Sequence, residues 1–218
     1  MLKQLSALSG RMLAILFAAL FLAPLANAED WVEGEHYDVI SPAIRVSEDK
    51  IEVTEFFWYG CGHCYNFEPQ LSQWKKGLDD DVVVVGSPAM WNGLMEVHAK
   101  AFYAAETLGV LDKVHMPLFQ ALNVDRKRLA SEREIADLFA AHGVDRDEFS
   151  QAFNSFGVGS QVRQANARAR AARIAGTPEM MVAGKYRIST RKAGGQAQML
   201  ELASYLIEKE REARASAS

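Results

Sequence analysis

Only two cysteines occur in 218 residues, Cys61 and Cys64, in a C-x-x-C spacing. That scarcity excludes a disulfide-stapled scaffold: a bridge between such close neighbours closes a very short loop, and loop-closure stabilisation grows with loop length. It also leaves zinc short of ligands. A structural site wants four, and His36, His63, His98, His115 and His142 are scattered without paired spacing, so no metal is expected. Covalent haem needs a histidine directly after the second cysteine, where Tyr65 stands. Basic charge is scarce too. Lys and Arg number 24 against 28 Asp and Glu, which argues against nucleic acid as a partner. Beyond the first 28 residues no apolar run is long enough to span a membrane, and there is no internal repeat or low-complexity linker.

The first 28 residues do not read as part of the fold. Lys3 and Arg11 precede the apolar run Met12 to Ala23; Pro24 breaks it, and Ala26-Asn27-Ala28 forms an A-x-A cleavage signal. This is the pattern of a secretory signal peptide, with an uncleaved anchor as the alternative. Without Lys3 and Arg11, 22 basic residues face 28 acidic ones, a formal charge of −6. Exported proteins ordinarily use cysteines as staples. Two cysteines this close staple nothing, so these thiols are there to react.

Thr54 to Leu71, T-E-F-F-W-Y-G-C-G-H-C-Y-N-F-E-P-Q-L, organises the chain. Lys50 to Phe57 reads as a central strand. Phe67, Leu71 and Trp74 fall at helical spacing, in a helix expected from Gly62 to about Gly77 with a kink at Pro69. The dithiol thus sits where a strand ends and a helix begins. Unpaired N–H groups and partial positive charge there favour a thiolate, the nucleophile of disulfide exchange. His63, between the cysteines, can add a donor or a positive charge. Glu55 lies in the strand leading to the site. It is either an outward-facing charge or, as Val53, Phe56 and Phe57 suggest, a buried carboxylate with a raised pKa that can pass a proton.

Val82 to Val85 reads as a parallel strand covered on both faces, stopped by Ser87-Pro88. Leu94 to Ala175 is helical in pattern: a stripe of Val97, Ala101, Ala105 and Leu108, a shorter helix over Asp112 to Leu122, and a Ser131-x-x-Glu134 capping box. Asp145-x-x-Glu148 repeats the device for a helix closed by Gly157, and Ser160 opens a last helix. Arg163, Arg168, Arg170 and Arg173 read as a solvated face, with anion binding the minor alternative. His98, His115 and His142 read as packing or surface residues. Met90 and Trp91 either line a groove or pack in the core. Met180 to Val182 and Tyr186 to Ser189 flank Ala183-Gly184-Lys185 as a hairpin, and Tyr37 to Ile40 is a candidate edge strand. Gly194-Gly195 leads to a final helix burying Met199, Leu202, Ala203 and Leu206, with a frayed tail from Ala213.

The order strand, redox helix, strand, helical block, hairpin, helix resembles the thioredoxin fold, an α/β architecture with a mixed central sheet and flanking helices, here carrying an inserted all-helical domain. The residues resemble the periplasmic thiol:disulfide oxidoreductase family DsbA. The likeness rests on Glu55-Phe56-Phe57, Cys61-Gly62-His63-Cys64-Tyr65, Trp91, His98-Ala99-Lys100-Ala101, Gly176-Thr177-Pro178 and Val182-Ala183-Gly184-Lys185-Tyr186. It implies a signal peptide over 1–28, a thioredoxin-like domain over 29–93 and 176–212, a helical insertion over 94–175 and a tail over 213–218. It implies that Cys61 is the exposed nucleophile, Cys64 the buried resolving thiol, and Glu55 the buried acid. Thr177-Pro178 would be a cis pair whose backbone at residue 177 meets an extended substrate beside Gly62. No cofactor is implied. The implied partners are reduced secreted proteins and a quinone-linked membrane oxidase of the DsbB type, and the implied compartment is the periplasm; a monomer is expected because no long coiled coil or uncapped apolar helix is evident. Gly62-His63 stands where the best-known members have Pro-His, and Thr177 where Val is more familiar. The rival readings are a disulfide isomerase or reductase of the same fold, and a chaperone-like peptide-binding module.

Overall fold

The chain enters its sheet at the edge with β1 (Asp38–Val39), which pairs antiparallel with β5 (Tyr186–Ser189). The computed structural model describes residues 31–47 and 49–217; the leader expected over 1–28 lies outside the described residues. At the sheet's centre, β2 (Ile51–Phe57) is buried at every position. It runs parallel to β3 (Val82–Pro88), in register from Ile51 opposite Val82 to Phe57 opposite Pro88, and antiparallel to β4 (Glu179–Val182). Among the described residues the sheet order is β1-β5-β4-β2-β3, mixed as expected. A strand flanked on both edges and covered on both faces buries all its side chains, which is how a carboxylate such as Glu55 leaves water.

The β4–β5 hairpin turns through Ala183 (φ 52°) and Gly184 (φ 68°), the left-handed pair of a tight reversal. Gly184 has a second constraint: a Cβ there would lie 2.0 Å from the Ile44 carbonyl oxygen.

Helices cover both faces. α1 (Gly62–Lys75) continues through Pro69 without a break. The insertion comprises α2 (Gly93–Thr107), α3 (Leu111–Asn123), α4 (Glu132–Ala141), α5 (Arg146–Phe153) and α6 (Phe156–Ala171). After the hairpin come a single turn, α7 (Thr190–Ala193), and α8 (Gln196–Ala217), which buries Met199, Leu202, Ala203 and Leu206. One core lies between sheet, α1 and α8; a second fills the helical block and reaches Phe57, Tyr59 and Cys64; a smaller third joins Phe56 and Met181 to Ala169, Ala172 and Ile174. Phe57 joins the central strand to the helical block. Its ring sits 5.2 to 5.9 Å from those of Tyr59, Phe102, His115 and Phe119, and such aromatic pairs add about 0.5–1.5 kcal/mol each beyond area burial.

Four expectations are corrected. β3 continues through Ser87 and Pro88, because Pro88 sits at the strand's end. Gly157 does not close α5, and Ser160 does not open the next helix: Ser155 caps α6 by accepting from the Val158 N–H, so Gly157 and Ser160 lie inside it. Asp145 caps α5 through the Asp147 and Glu148 N–H groups. The tail from Ala213 does not fray; α8 stays helical to Ala217, helped by Arg214, which donates to the Lys50 carbonyl and to Glu210.

Candidate active site

β2 delivers the chain into the turn Trp58-Tyr59-Gly60, closed by the Cys61 N–H donating to the Trp58 carbonyl at 2.9 Å. Gly60 lies under the Trp58 indole, where an added Cβ would stand 2.3 Å from the ring. The indole is fixed in turn. Trp58 Nε1 donates to His98 Nδ1 at 3.0 Å, so the proton of His98 is on Nε2, which faces the carbonyls of Arg128 and Leu129 at 3.2 and 3.1 Å. Burial holds the His98 pKa below its usual value, keeping the ring neutral. His98 is therefore a packing and positioning residue, as expected.

Cys61 is the N-cap of α1. Serine, threonine or aspartate usually accepts the free N–H groups there; here Cys61 Sγ accepts from the Cys64 N–H at 3.4 Å. Cys61 is half-buried and stands as a free thiol. Its pKa falls to about 5. The Cys64 thiol donating to it is the main cause, opposed by burial and reinforced by Thr177 and by the N–H groups of Cys64 and His63. Cys64 is fully buried, and burial pushes its pKa strongly upward, with Cys61 adding to the effect. The two thiols are thereby divided into a nucleophile and a protonated partner. A spectroscopic titration of the reduced protein is expected to show a single thiolate transition with a midpoint near pH 5, with Cys64 silent. A midpoint close to the ordinary thiol value, about 8.5, would contradict the capping account.

His63 contributes a donor through its backbone. Its N–H faces Cys61, its ring is exposed, and its carbonyl accepts from Gln196 Nε2 at 2.7 Å, tying the dithiol turn to α8. Gly62 opens α1, and a Cβ there would meet only Asn123 Oδ1 at 3.7 Å. Asn123, at the end of α3, donates to the Tyr59 carbonyl at 2.7 Å and so holds the turn from the helical side.

Thr177-Pro178 is cis, and the Thr177 carbonyl accepts from Cys61 Sγ at 3.3 Å, so residue 177 does face the dithiol. Glu179, which was not singled out in the sequence, secures this loop. It is buried, accepts from the Ala175 and Gly176 N–H groups at 3.3 and 3.1 Å, and pairs with Arg187 Nε at 2.7 Å. The one local signal for it is an acidic residue opening a strand directly after Thr-Pro.

Behind the thiols lies an acidic cluster. Glu55 is buried, and its Oε1 has no hydrogen-bond partner among the described residues. Burial first, then the neighbouring Glu68 carboxylate, raise its pKa to about 8; Lys75 opposes them and Cys61 adds to them. Glu68 is buried on α1, and His115, read from sequence as packing or surface, stands between it and Tyr59. Tyr59 Oη lies 2.8 Å from His115 Nδ1, and His115 Nε2 lies 3.2 Å from Glu68 Oε1, near but not aligned as a hydrogen bond. Glu55, Glu68, Lys75 and His115 line a cavity of about 520 Å³. Among the described residues no group of three or more His, Cys, Asp or Glu side chains has the arrangement of a metal site.

Residues 52–206 match the family described as the DSBA-like thioredoxin domain. A thiol:disulfide interchange protein DsbA of Pseudomonas aeruginosa is 43% identical over 204 residues, covering 91% of this chain and 97% of that protein. One from Azotobacter vinelandii is 42% identical, covering 91% and 94%. The crystal structure of Pseudomonas aeruginosa DsbA superposes with a TM-score of 0.83 at 42% identity, over 86% of this chain and 98% of that one. The Xylella fastidiosa oxidoreductase DsbA superposes at 0.78 and 31% identity, over 84% and 98%.

Proposed function

The chain belongs to the DsbA family of thiol:disulfide oxidoreductases, and on that premise we propose that it works as an exported oxidase through Cys61 and Cys64. In the oxidised protein a substrate thiolate attacks Cys61 Sγ. The Cys61–Cys64 bond breaks, the electron pair leaves on Cys64 Sγ, and a mixed disulfide forms at Cys61. A second substrate thiolate then attacks the substrate sulfur of that bond and expels Cys61 as a thiolate. The substrate has lost two electrons and gained a disulfide; the protein has gained them as a dithiol.

One observation carries this reading. Cys61 caps a helix, with its thiol pKa lowered to about 5, while Cys64 is buried and protonated. A thiolate stable in the reduced protein favours the dithiol form and makes the disulfide an oxidant. Glu55, protonated at neutral pH, is assigned as the buried acid that gives a proton to the departing Cys64 thiolate and recovers it on reoxidation. The backbone at Thr177, beside Cys61 Sγ, supports pairing with an extended substrate chain next to the scissile disulfide. Gly62 adds no side chain to that surface.

The substrates on this reading are reduced exported proteins, and the compartment is the periplasm, reached by cleavage after Ala28. Reoxidation falls to a quinone-linked membrane oxidase of the DsbB type. Among the described residues no helix is long and apolar enough to cross a membrane. The test is equilibration of the Cys61–Cys64 couple with a glutathione buffer. An oxidase is expected near about −120 mV, a value known for the family itself rather than derived from this geometry. A potential near about −270 mV would instead assign a reductase.

A further inference from the structure

Phe57 and Pro88 are opposite one another at the ends of the parallel strands β2 and β3. Beyond Phe57 the chain reaches Cys61; beyond Pro88 it reaches Met90 and Trp91. Both excursions leave the same end of the sheet, and Met90 and Cys61 pack against the same core. Facing Met90 and Trp91 across a cavity of about 480 Å³ are Val162, Arg163 and Arg170 of α6, together with Ile174. Ile174 is three residues before Thr177, whose carbonyl touches Cys61 Sγ. The cavity is thus framed by the two segments that frame the nucleophile.

Trp91, which lines the cavity, is 54% exposed; Phe156 lies outside the lining but is 84% exposed, with the Arg163 guanidinium over its ring at 5.7 Å. Some arginines are held by carboxylates: Arg146 by Asp137, Arg187 by Glu179, Arg211 by Asp79 and Asp81. Arg163 and Arg170 are exposed, and neither has a carboxylate within 4.0 Å among the described residues, in a chain of net charge −4. The one acid lining the cavity is Glu96, in the first turn of α2, where the helix's own N-terminal N–H groups favour it.

We propose that this cavity is a substrate subsite that takes an acidic side chain, flanked by an apolar one, from the polypeptide being oxidised. The proposal rests on the oxidase reading and names a substrate preference for the same site. Guanidinium pairs bind carboxylates in fixed geometry, and exposed aromatics supply the apolar contact. An extended strand laid beside residue 177 reaches the level of residue 174 after three residues, about 10 Å. The acidic residue therefore belongs about three positions from the reactive cysteine.

The test uses the full-length mature protein in its oxidised form and three dithiol peptides, identical except for glutamate, glutamine or lysine three residues from the first cysteine. The expected result is about a tenfold preference for the glutamate over the lysine peptide, carried by KM, as for complementary charges at an interface rim. It should shrink between about 0.05 and 0.5 M salt as screening shortens. In Arg163→Glu/Arg170→Glu the order of the glutamate and lysine peptides reverses. In Arg133→Glu/Lys76→Glu, an equal charge change on exposed sites outside the cavity, the wild-type order persists. The glutathione equilibrium of each variant reports that its dithiol site is intact. Equal rates for all three peptides, or an unchanged order in the Arg163/Arg170 variant, overturn the subsite while leaving the oxidase reading standing. Oxidation of none of the peptides overturns the oxidase reading, and the subsite falls with it.

Discussion

Cys61→Ser is expected to reduce peptide oxidation to the uncatalysed background, and Cys64→Ser to accumulate a stable mixed disulfide with substrate. The two outcomes differ because the structure gives the thiols different environments. Cys61 is half-buried, carries the helix-end N–H groups, and lies beside the Thr177 carbonyl. It is the sulfur a substrate can reach. Cys64 is fully buried, so no substrate thiol attacks it, and its task is to leave when Cys61 is attacked. Serine at position 61 still caps α1 through its hydroxyl, so the fold persists while the nucleophile is gone. Serine at 64 leaves Cys61 reactive but removes the intramolecular thiol that reverses the mixed disulfide. Mass spectrometry after incubating each reduced variant with a peptide already in a disulfide, so that Cys61 takes up one half and the other leaves as a thiol, distinguishes the cases: no adduct for Cys61→Ser, one stoichiometric adduct for Cys64→Ser. A Cys61→Ser protein that still promoted substrate folding would point to a binding module in which the dithiol is incidental.

The features that could be read in the sequence are those set by local chemistry. β2 followed by a C-x-x-C at a helix start, the Ser131-x-x-Glu134 capping box and the Ala183-Gly184 reversal each need only neighbouring residues, and each is present. Gly157 misled because glycine usually marks a helix end, whereas Ser155 two residues earlier had the capping hydroxyl and set the start of α6. Ala213 onward misled because small residues read as a frayed end, yet Arg214 reaches back across the fold to the Lys50 carbonyl.

The long-range part of the site had no such signature. Glu68 and His115 are 47 positions apart and meet because α1 and α3 pack together over Phe57. Neither residue has a motif of its own, and a lone histidine in an apolar stripe reads as packing. The arginines of α6 likewise read as a solvated face, and the pattern could not show that two of them border the segment leading to Thr177. Glu55 was the exception. The apolar residues around it signalled burial, and a buried carboxyl without a partner must shift its pKa.

That shift makes Glu55→Gln the second large expected effect. In the unfolded chain the carboxyl ionises near pH 4.5; in the fold, burial and the Glu68 carboxylate hold its proton to about pH 8. Below pH 4.5 the proton is bound in both states and the group costs nothing by ionisation. As pH rises towards 8 the unfolded chain releases the proton and the fold does not, so stability is lost progressively and the loss levels off above the folded value. The lost stability at pH 7.5 is on the order of 4 kcal/mol. Glutamine cannot ionise, and whatever its buried amide costs is the same at both pH values. Denaturant unfolding of the oxidised form, where Cys61 has no thiol to titrate, is therefore expected to show Glu55→Gln gaining on the wild type by that amount between pH 4.5 and 7.5. In the reduced form the coupling is reciprocal, since Glu55 and the Cys61 thiolate repel. Because the wild-type carboxyl is still protonated while Cys61 ionises near pH 5, glutamine at position 55 should leave the Cys61 midpoint close to its wild-type value. A stability difference that stays flat between the two pH values would mean that Glu55 is ionised in the fold, and it would remove this carboxyl as the proton source for Cys64.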